Sequence, residues 1–297
     1  MEHPLTKHLA TTTGLAGRLS GGLRKLARIG RTPYMGPGLD DVRFRCNICS
    51  ARCLASADAL QREIATCTRC GSTVRTRTMV HLLTAELFGR SMAIRDLPVR
   101  RDIVGIGLSD SANYADRLPE RLAYTNTFFH MEPRLDIAAA PEELTARFDF
   151  IIASDVFEHI APPVSRAFAN ARRLLKPHGV FIFSVPYALD GETREHYPDL
   201  HDYRLVERDG VWRLENRTPD GRRQVFSDLV FHGGPGSTLE MRLFSRNGLI
   251  NEFVKAGFAG VRIADESQPD YGIVWPEPWS VPMVAYATLP RKHEPRP

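Results

Sequence analysis

The densest hydrophobic pattern in the chain is FDFIIASDVFEHIAPPVSRAFANARRLLKPHGVFIFSVPY, residues 148–187. An apolar run at 148–153 stops at polar Ser154 and Asp155, as in a strand buried on both faces. A proline pair, Pro162 and Pro163, suits a first helical turn. Val164, Phe168, Ala171 and Leu175 then recur at helical spacing, giving one face to pack on a sheet. Lys176, Pro177 and Gly179 end the helix with a cation, a breaker and a permissive residue, and a second apolar run follows at 180–185. Strand, helix and parallel strand form a right-handed crossover unit, which places a ligand site outside the strands' carboxyl ends.

The same reading extends outward. Strands are predicted at 102–105 and 122–127, and Leu82, Leu83 and Leu87 mark a helix upstream of them. The stretch 187–245 is too long for an ordinary connection. Within it, Asp209-Gly210 and Asp220-Gly221 are turn signals flanked by alternating runs at 203–207, 211–216 and 224–231, which predicts a three-stranded meander. A helix at 245–256 ending at Gly257, then strands at 260–263 and 281–288, complete an α/β pattern.

Composition adds bounds. A chain of 297 residues with 43% hydrophobic content can bury a substantial core, and a net charge of +4 does not by itself imply nucleic acid. No apolar run approaches the roughly 20 residues of a membrane span, and the N-terminus lacks the apolar block of a signal peptide. The expected compartment is therefore the cytoplasm. Residues 1–41 read as an arm whose stretch 15–31 carries Arg18, Arg24, Lys25, Arg28 and Arg31 with no acidic residue. Such an arm suits weak contact with an anionic surface, peripheral to the inner membrane, or a solvated tail.

All five cysteines lie between Cys46 and Cys70, an odd number that argues against a disulfide framework. Cys46/Cys49 and Cys67/Cys70 form two Cys-x-x-Cys pairs with 17 residues between them. Two such knuckles supply the four soft ligands of a closed, structural zinc site. Cys53 is surplus, either buried or a substitute ligand, and a redox pair would need only one motif.

Asp155-Val156-Phe157-Glu158-His159-Ile160 and Arg173-Leu174-Leu175-Lys176-Pro177-His178-Gly179 resemble the words at the fourth and fifth strands of class I S-adenosylmethionine-dependent methyltransferases, with His178 in place of a more usual glycine. The knuckles running into an arginine-bearing helix are similar to a subset of type 11-like bacterial enzymes with an N-terminal zinc ribbon. The resemblance implies a Rossmann-like sheet with helices on both faces, a β-meander insertion and that ribbon. It divides the chain into the arm 1–41, ribbon and linking helix 42–97, and methyltransferase domain 98–297 with a substrate-side insertion at 188–244.

The resemblance also implies S-adenosylmethionine and structural zinc as cofactors. For the first it points to Gly105, Gly107 and Ser109 in the glycine-rich word, Glu132 for the ribose, Asp136 for the adenine, and Ser154, Asp155 and Val156 at the crossover strand's end. Two departures stand out: Ile103 where an acidic residue often precedes the glycines, and Ser109 where a third glycine often stands. Methyl transfer to a hydroxyl needs an aligned acceptor and a proton acceptor, a role suited to histidine. The candidates are His232, then His196, then His159. The expected acceptor is a small molecule or glycan, O-methylated on a sugar. The alternatives are an RNA or DNA methyltransferase reading through the ribbon, disfavoured by the thin basic footprint of Arg75 and Arg77, and a non-catalytic scaffold.

Overall fold

The computed structural model describes residues 41–275 and 278–289. The basic stretch 15–31 therefore lies outside the described residues. The chain opens with an antiparallel pair, β1 (Asp41–Arg45) and β2 (Arg52–Ser56), whose connecting turn carries Cys46 and Cys49. The second knuckle, Cys67 to Cys70, closes through a bond from the Gly71 N–H to the Cys67 carbonyl. Helix α1 (Val74–Phe88) begins at once, with Thr73 and Thr76 capping each other's backbone, and ends at left-handed Gly89 (φ 70°).

Next come β3 (Arg100–Leu108), the single turn α2 (Ala112–Ala115), β4 (Leu122–Thr127), β5 (Phe148–Ser154), α3 (Ser165–Leu174) and β6 (Leu175–Ser184). The insertion contributes short β7 (Tyr187–Ala188) and β8 (Arg194–Glu195), the meander β9 (Asp202–Arg208), β10 (Val211–Arg217) and β11 (Arg223–Phe226), and a small pair, β12 (Phe231–His232) and β13 (Thr238–Leu239). Finally β14 (Arg242–Ser245), α4 (Arg246–Lys255), β15 (Gly260–Ile263) and β16 (Met283–Tyr286) return to the main body.

The central sheet has the order β15-β16-β6-β5-β3-β4. Strands β4, β3, β5 and β6 are parallel, and β16 enters antiparallel between β6 and β15. This is the expected α/β sheet, and its last strand is inserted in reverse. One core covers each face. Phe157, Phe168, Phe181, Phe183, Phe253 and Phe258 fill the side under α3 and α4. On the other face, α1 packs Met79, Leu82 and Leu83 with Phe150, Ile152 and Val180 of the sheet and with Cys46, Ile48 and Cys67 of the knuckles. Knuckles, linking helix and sheet thus share a single core.

Several expectations need correction. The first sheet strand is longer than 102–105 and contains Gly105 and Gly107 within its ladder, so neither glycine lies in a loop. Strand β6 starts at Leu175, because the helix gives way directly to pairing between Phe148 and Leu175. The meander's third strand stops at Phe226, and Phe231 pairs instead with Leu239. Among the described residues, β4 and β5 are joined only by 3-10 turns at Ile137–Ala139 and Glu142–Leu144. Its outer edge therefore ends at β4.

Candidate functional site

The four knuckle cysteines converge, with sulfur atoms within 4.8 Å of one another. Cys46 and Cys70 are 3.7 Å apart, and Cys49 and Cys67 are 3.5 Å apart. A tetrahedron of thiolates with metal–sulfur bonds of about 2.3 Å has edges near 3.8 Å, so the set fits zinc. Cys53 lies outside it, its thiol directed at the Ala51 carbonyl 3.7 Å away. The adjacent Cys70 thiol holds the pKa of the Cys46 thiol below its usual range.

At the carboxyl ends of the strands, the sequence-derived cofactor residues meet different fates. A side chain on Gly105 would collide with the Phe150 ring, and one on Gly107 with Tyr124 and Asp110. Both glycines are therefore required by the protein's own packing. Ser109 is exposed at the end of β3 in the left-handed region (φ 54°). Glu132 accepts from the Arg134 N–H at 2.9 Å, and Asp136 caps the next 3-10 turn by accepting from Ala138 N–H at 2.9 Å. Ser154 bonds the Ser184 hydroxyl at 3.0 Å, and Val156 leads into the turn Phe157–His159.

Asp155, also left-handed (φ 57°), is engaged from across the chain. Arg62 donates to both its oxygens, at 2.7 and 3.0 Å, and Arg75 approaches at 3.2 Å. Burial pushes this carboxyl up, but Arg62 and Arg75 outweigh it and hold Asp155 below the usual carboxylate range. No local signal in the sequence pairs residue 62 with residue 155.

Asp110 is buried and accepts from the Tyr124 hydroxyl at 2.7 Å, while its second oxygen has no partner. Burial pushes its pKa up to about 7. The folded state thus keeps a proton that the unfolded chain releases near pH 4, and stability falls as pH rises between those values. Asp110→Asn should remove that decline, which is on the order of 4 kcal/mol at most. Urea unfolding at pH 5 and pH 7.5 checks this, and equal slopes in both proteins would exclude it.

The three candidate histidines come together. His159 sits on the turn after β5, while His196 and His232 arrive from the insertion. His232 Nδ1 lies 3.0 Å from His159 Nε2, and the two rings meet edge to face. His159 Nδ1 is 2.7 Å from the Leu239 carbonyl. Glu240 receives His232 Nε2 at 2.6 Å on one oxygen and His196 Nε2 at 2.9 Å on the other. Burial holds the His159 pKa below its ordinary value.

Two carboxylates complete this cluster. Glu158 is fully buried, neither oxygen has a hydrogen-bond partner, and burial with nearby Asp155 pushes its pKa well up. Buried Arg242 braces the turn beneath, donating to the carbonyls of Phe157 at 3.0 Å and Ile160 at 2.7 Å and to Glu195 at 2.7 Å. Sequence reasoning passed over Glu158, Glu240 and Arg242 as site residues. Adjacency to His159 was the available sign for Glu158, and nothing local marks the other two.

The family model of a methyltransferase domain matches residues 90–181. The match spans β3 through most of β6, the parallel part of the central sheet. Solved structures similar to the chain include the 1,6-didemethyltoxoflavin-N1-methyltransferase of Burkholderia thailandensis, at 17% identity over 71% of this chain and 77% of that one, with a TM-score of 0.39. The CurJ carbon methyltransferase is 17% identical over 66% of this chain and 51% of that one, with a TM-score of 0.40. A sugar N-methyltransferase of Streptoalloteichus is 13% identical over 71% and 86%, with a TM-score of 0.39. No curated protein matches the chain. Among the described residues, no helix is long and apolar enough to cross a membrane.

Proposed function

We propose that the protein transfers a methyl group from S-adenosylmethionine to a hydroxyl of a saccharide or sugar-containing small molecule. The observation that carries this reading is the convergence of His159, His196 and His232 with Glu158 and Glu240 beside the carboxyl end of β5. When bound, the donor supplies an electrophilic sulfonium whose carbon–sulfur bond breaks as the carbon–oxygen bond forms, leaving a thioether and a methyl ether. The protein's residues align the acceptor and take its hydroxyl proton into the histidine and glutamate cluster. His232, with 39% of its side chain exposed, is the ring most open to an acceptor.

Polar groups at the strand ends suit the donor: the exposed Ser109 hydroxyl, the Ser154 hydroxyl, and the carboxylates of Asp136 and Asp155. The four-cysteine cluster is assigned a structural zinc that holds the knuckles against α1. Arg75 and Arg77 bear on the nucleic-acid alternative. Arg75 binds Glu63 at 2.8 Å and the Ser154 hydroxyl, and buried Arg77 donates to the carbonyls of Ser72 at 2.9 Å and Gly272 at 2.8 Å. Both cations are committed internally, which supports a small-molecule acceptor over a phosphate backbone.

A second reading, a non-catalytic scaffold, is favoured by one observation: the open faces of Gly105 and Gly107 are filled by Phe150 and Tyr124. Calorimetric titration with S-adenosylhomocysteine separates the two. Micromolar binding is expected, together with transfer of a labelled methyl group to a saccharide panel. His232→Ala should lower kcat by at least about 100-fold, the lower end for losing a group that handles the proton, and leave S-adenosylhomocysteine binding within twofold. A folded sample that releases no heat with either form of the donor would exclude the enzyme reading and leave the scaffold.

A further inference from the structure

The geometry points to a divalent-cation site, which we propose is formed by Glu158, His159 and His232 and is distinct from the four-cysteine cluster. The argument begins with protons. His159 Nδ1 faces the Leu239 carbonyl at 2.7 Å, a contact that only an N–H can satisfy, so its Nε2 presents a lone pair. His232 Nε2 faces the Glu240 carboxylate at 2.6 Å, and by the same reasoning its Nδ1 presents a lone pair. These two lone pairs stand 3.0 Å apart, with no hydrogen between them in the neutral rings. The Glu158 side chain, fully buried and without a hydrogen-bond partner, places Oε1 within 3.9 Å of both nitrogens. Electron-pair donors turned toward one another repel unless a positive charge, a proton or a metal cation, lies between them.

The distances agree. Glu158 Oε1 is 3.7 Å from His159 Nε2 and 3.9 Å from His232 Nδ1, and the two nitrogens are 3.0 Å apart. The circle through these three atoms has a radius of about 2.1 Å, the bond length of a first-row divalent ion to imidazole nitrogen or carboxylate oxygen. One point is therefore equidistant from all three at a bonding distance without any rearrangement. The outer partners also have the form found around metal ligands, where each ligating imidazole donates its second N–H to a carboxylate or a backbone carbonyl. Here Glu240 and the Leu239 carbonyl fill that role, His196 holds Glu240 from behind, and Arg242 fixes the turn carrying Glu158 and His159.

Two imidazoles and one carboxylate suit manganese, iron, cobalt, nickel or zinc better than calcium. Three ligands leave coordination positions open, and the half-exposed His232 side gives access to them. On the methyl-transfer reading, those positions would hold the acceptor's hydroxyl oxygen, with His159 and His232 holding the cation and the hydroxyl proton passing to the Glu240–His196 pair behind them.

The test uses zinc-loaded protein passed over a chelating resin and titrated with Mn2+, with free aqueous Mn2+ counted by electron paramagnetic resonance. One Mn2+ per chain is expected, in addition to the zinc of the cysteines. Glu158→Gln should weaken binding at least 100-fold. His232→Ala, a change at a more exposed ring, should weaken it at least 10-fold with the circular dichroism of the wild type. No bound Mn2+, or wild-type affinity in a folded His232→Ala protein, would overturn the site. The functional reading separates cleanly, because S-adenosylhomocysteine binding without Mn2+ binding sinks the cation site alone. Mn2+ binding without S-adenosylhomocysteine binding keeps the site and sinks methyl transfer.

Discussion

Cys67→Ser is expected to lower the unfolding midpoint by about 10 to 20 °C and to release the zinc. Cys67 is 1% exposed, its sulfur is 3.5 Å from that of Cys49, and it belongs to the same core as Met79, Leu83 and Phe150. Structural zinc binding in isolated finger peptides amounts to about 10 to 16 kcal/mol, because the ligands are brought together only in the folded state. Here α1 and the sheet hold part of the knuckle without metal, so a loss of about 5 kcal/mol is the expected scale. At about 2 to 4 °C per kcal/mol for a domain of this size, that gives the stated shift. Cys53→Ser is the control. Its thiol lies outside the cluster, so it should keep the zinc and move the midpoint by less than about 2 °C. Scanning calorimetry with metal analysis of both variants decides. Retention of zinc and midpoint in Cys67→Ser would refute the four-cysteine assignment.

Arg62→Ala is expected to cost about 3 to 5 kcal/mol of stability, the scale for removing one partner of a buried ion pair. The Arg62 side chain is 8% exposed, and besides its two bonds to Asp155 it donates Nε to the Ser280 carbonyl at 3.0 Å. Arg75 remains at 3.2 Å from Asp155, which places the loss toward the lower end. A double-mutant cycle with Asp155→Asn isolates the pair, and a coupling of at least about 2 kcal/mol is expected. The sign with pH follows from Asp155, whose folded carboxyl is held below its ordinary value. The pair's contribution is fully present above the unfolded value near pH 4 and declines as pH falls through the folded value. The difference between wild type and Arg62→Ala should therefore narrow in acid. Urea midpoints at pH 7 and pH 3 that differ by the same amount would exclude the linkage.

What the sequence disclosed follows from range. Strand β5, the helical face around Phe168 and Ala171 and the Asp209-Gly210 turn are written in local periodicity and turn chemistry, and they stand as read, although the helix starts only at Ser165, after the proline pair, and ends at Leu174. Both residues of that turn have positive φ, at 54° and 75°, as a two-residue hairpin turn requires. The knuckles were legible because their ligands carry their own spacing. The histidines were legible as candidates, but their meeting was not. His159 and His232 are separated by 73 positions and join only when the insertion folds over the turn after β5. The glycines are ambiguous in sequence because two different demands, close ligand approach and close packing against Phe150 or Tyr124, select the same residue. Asp155 is ambiguous in a related way, since a carboxylate at a strand end suits a ligand and a distant arginine equally well.

Two of the buried cations depend on acceptors made much later. Arg62 reaches Ser280 across 218 positions, and Arg77 reaches Gly272 across 195. During translation at about 5 to 20 residues per second, each guanidinium waits on the order of ten seconds or more before its carbonyl emerges from the ribosome. Throughout that interval the surface that will later be buried stays hydrated and positively charged. Completion of the amino-terminal module is therefore timed by the synthesis of the opposite end of the chain, and a polypeptide stalled before Gly272 would leave its inner cations turned to water.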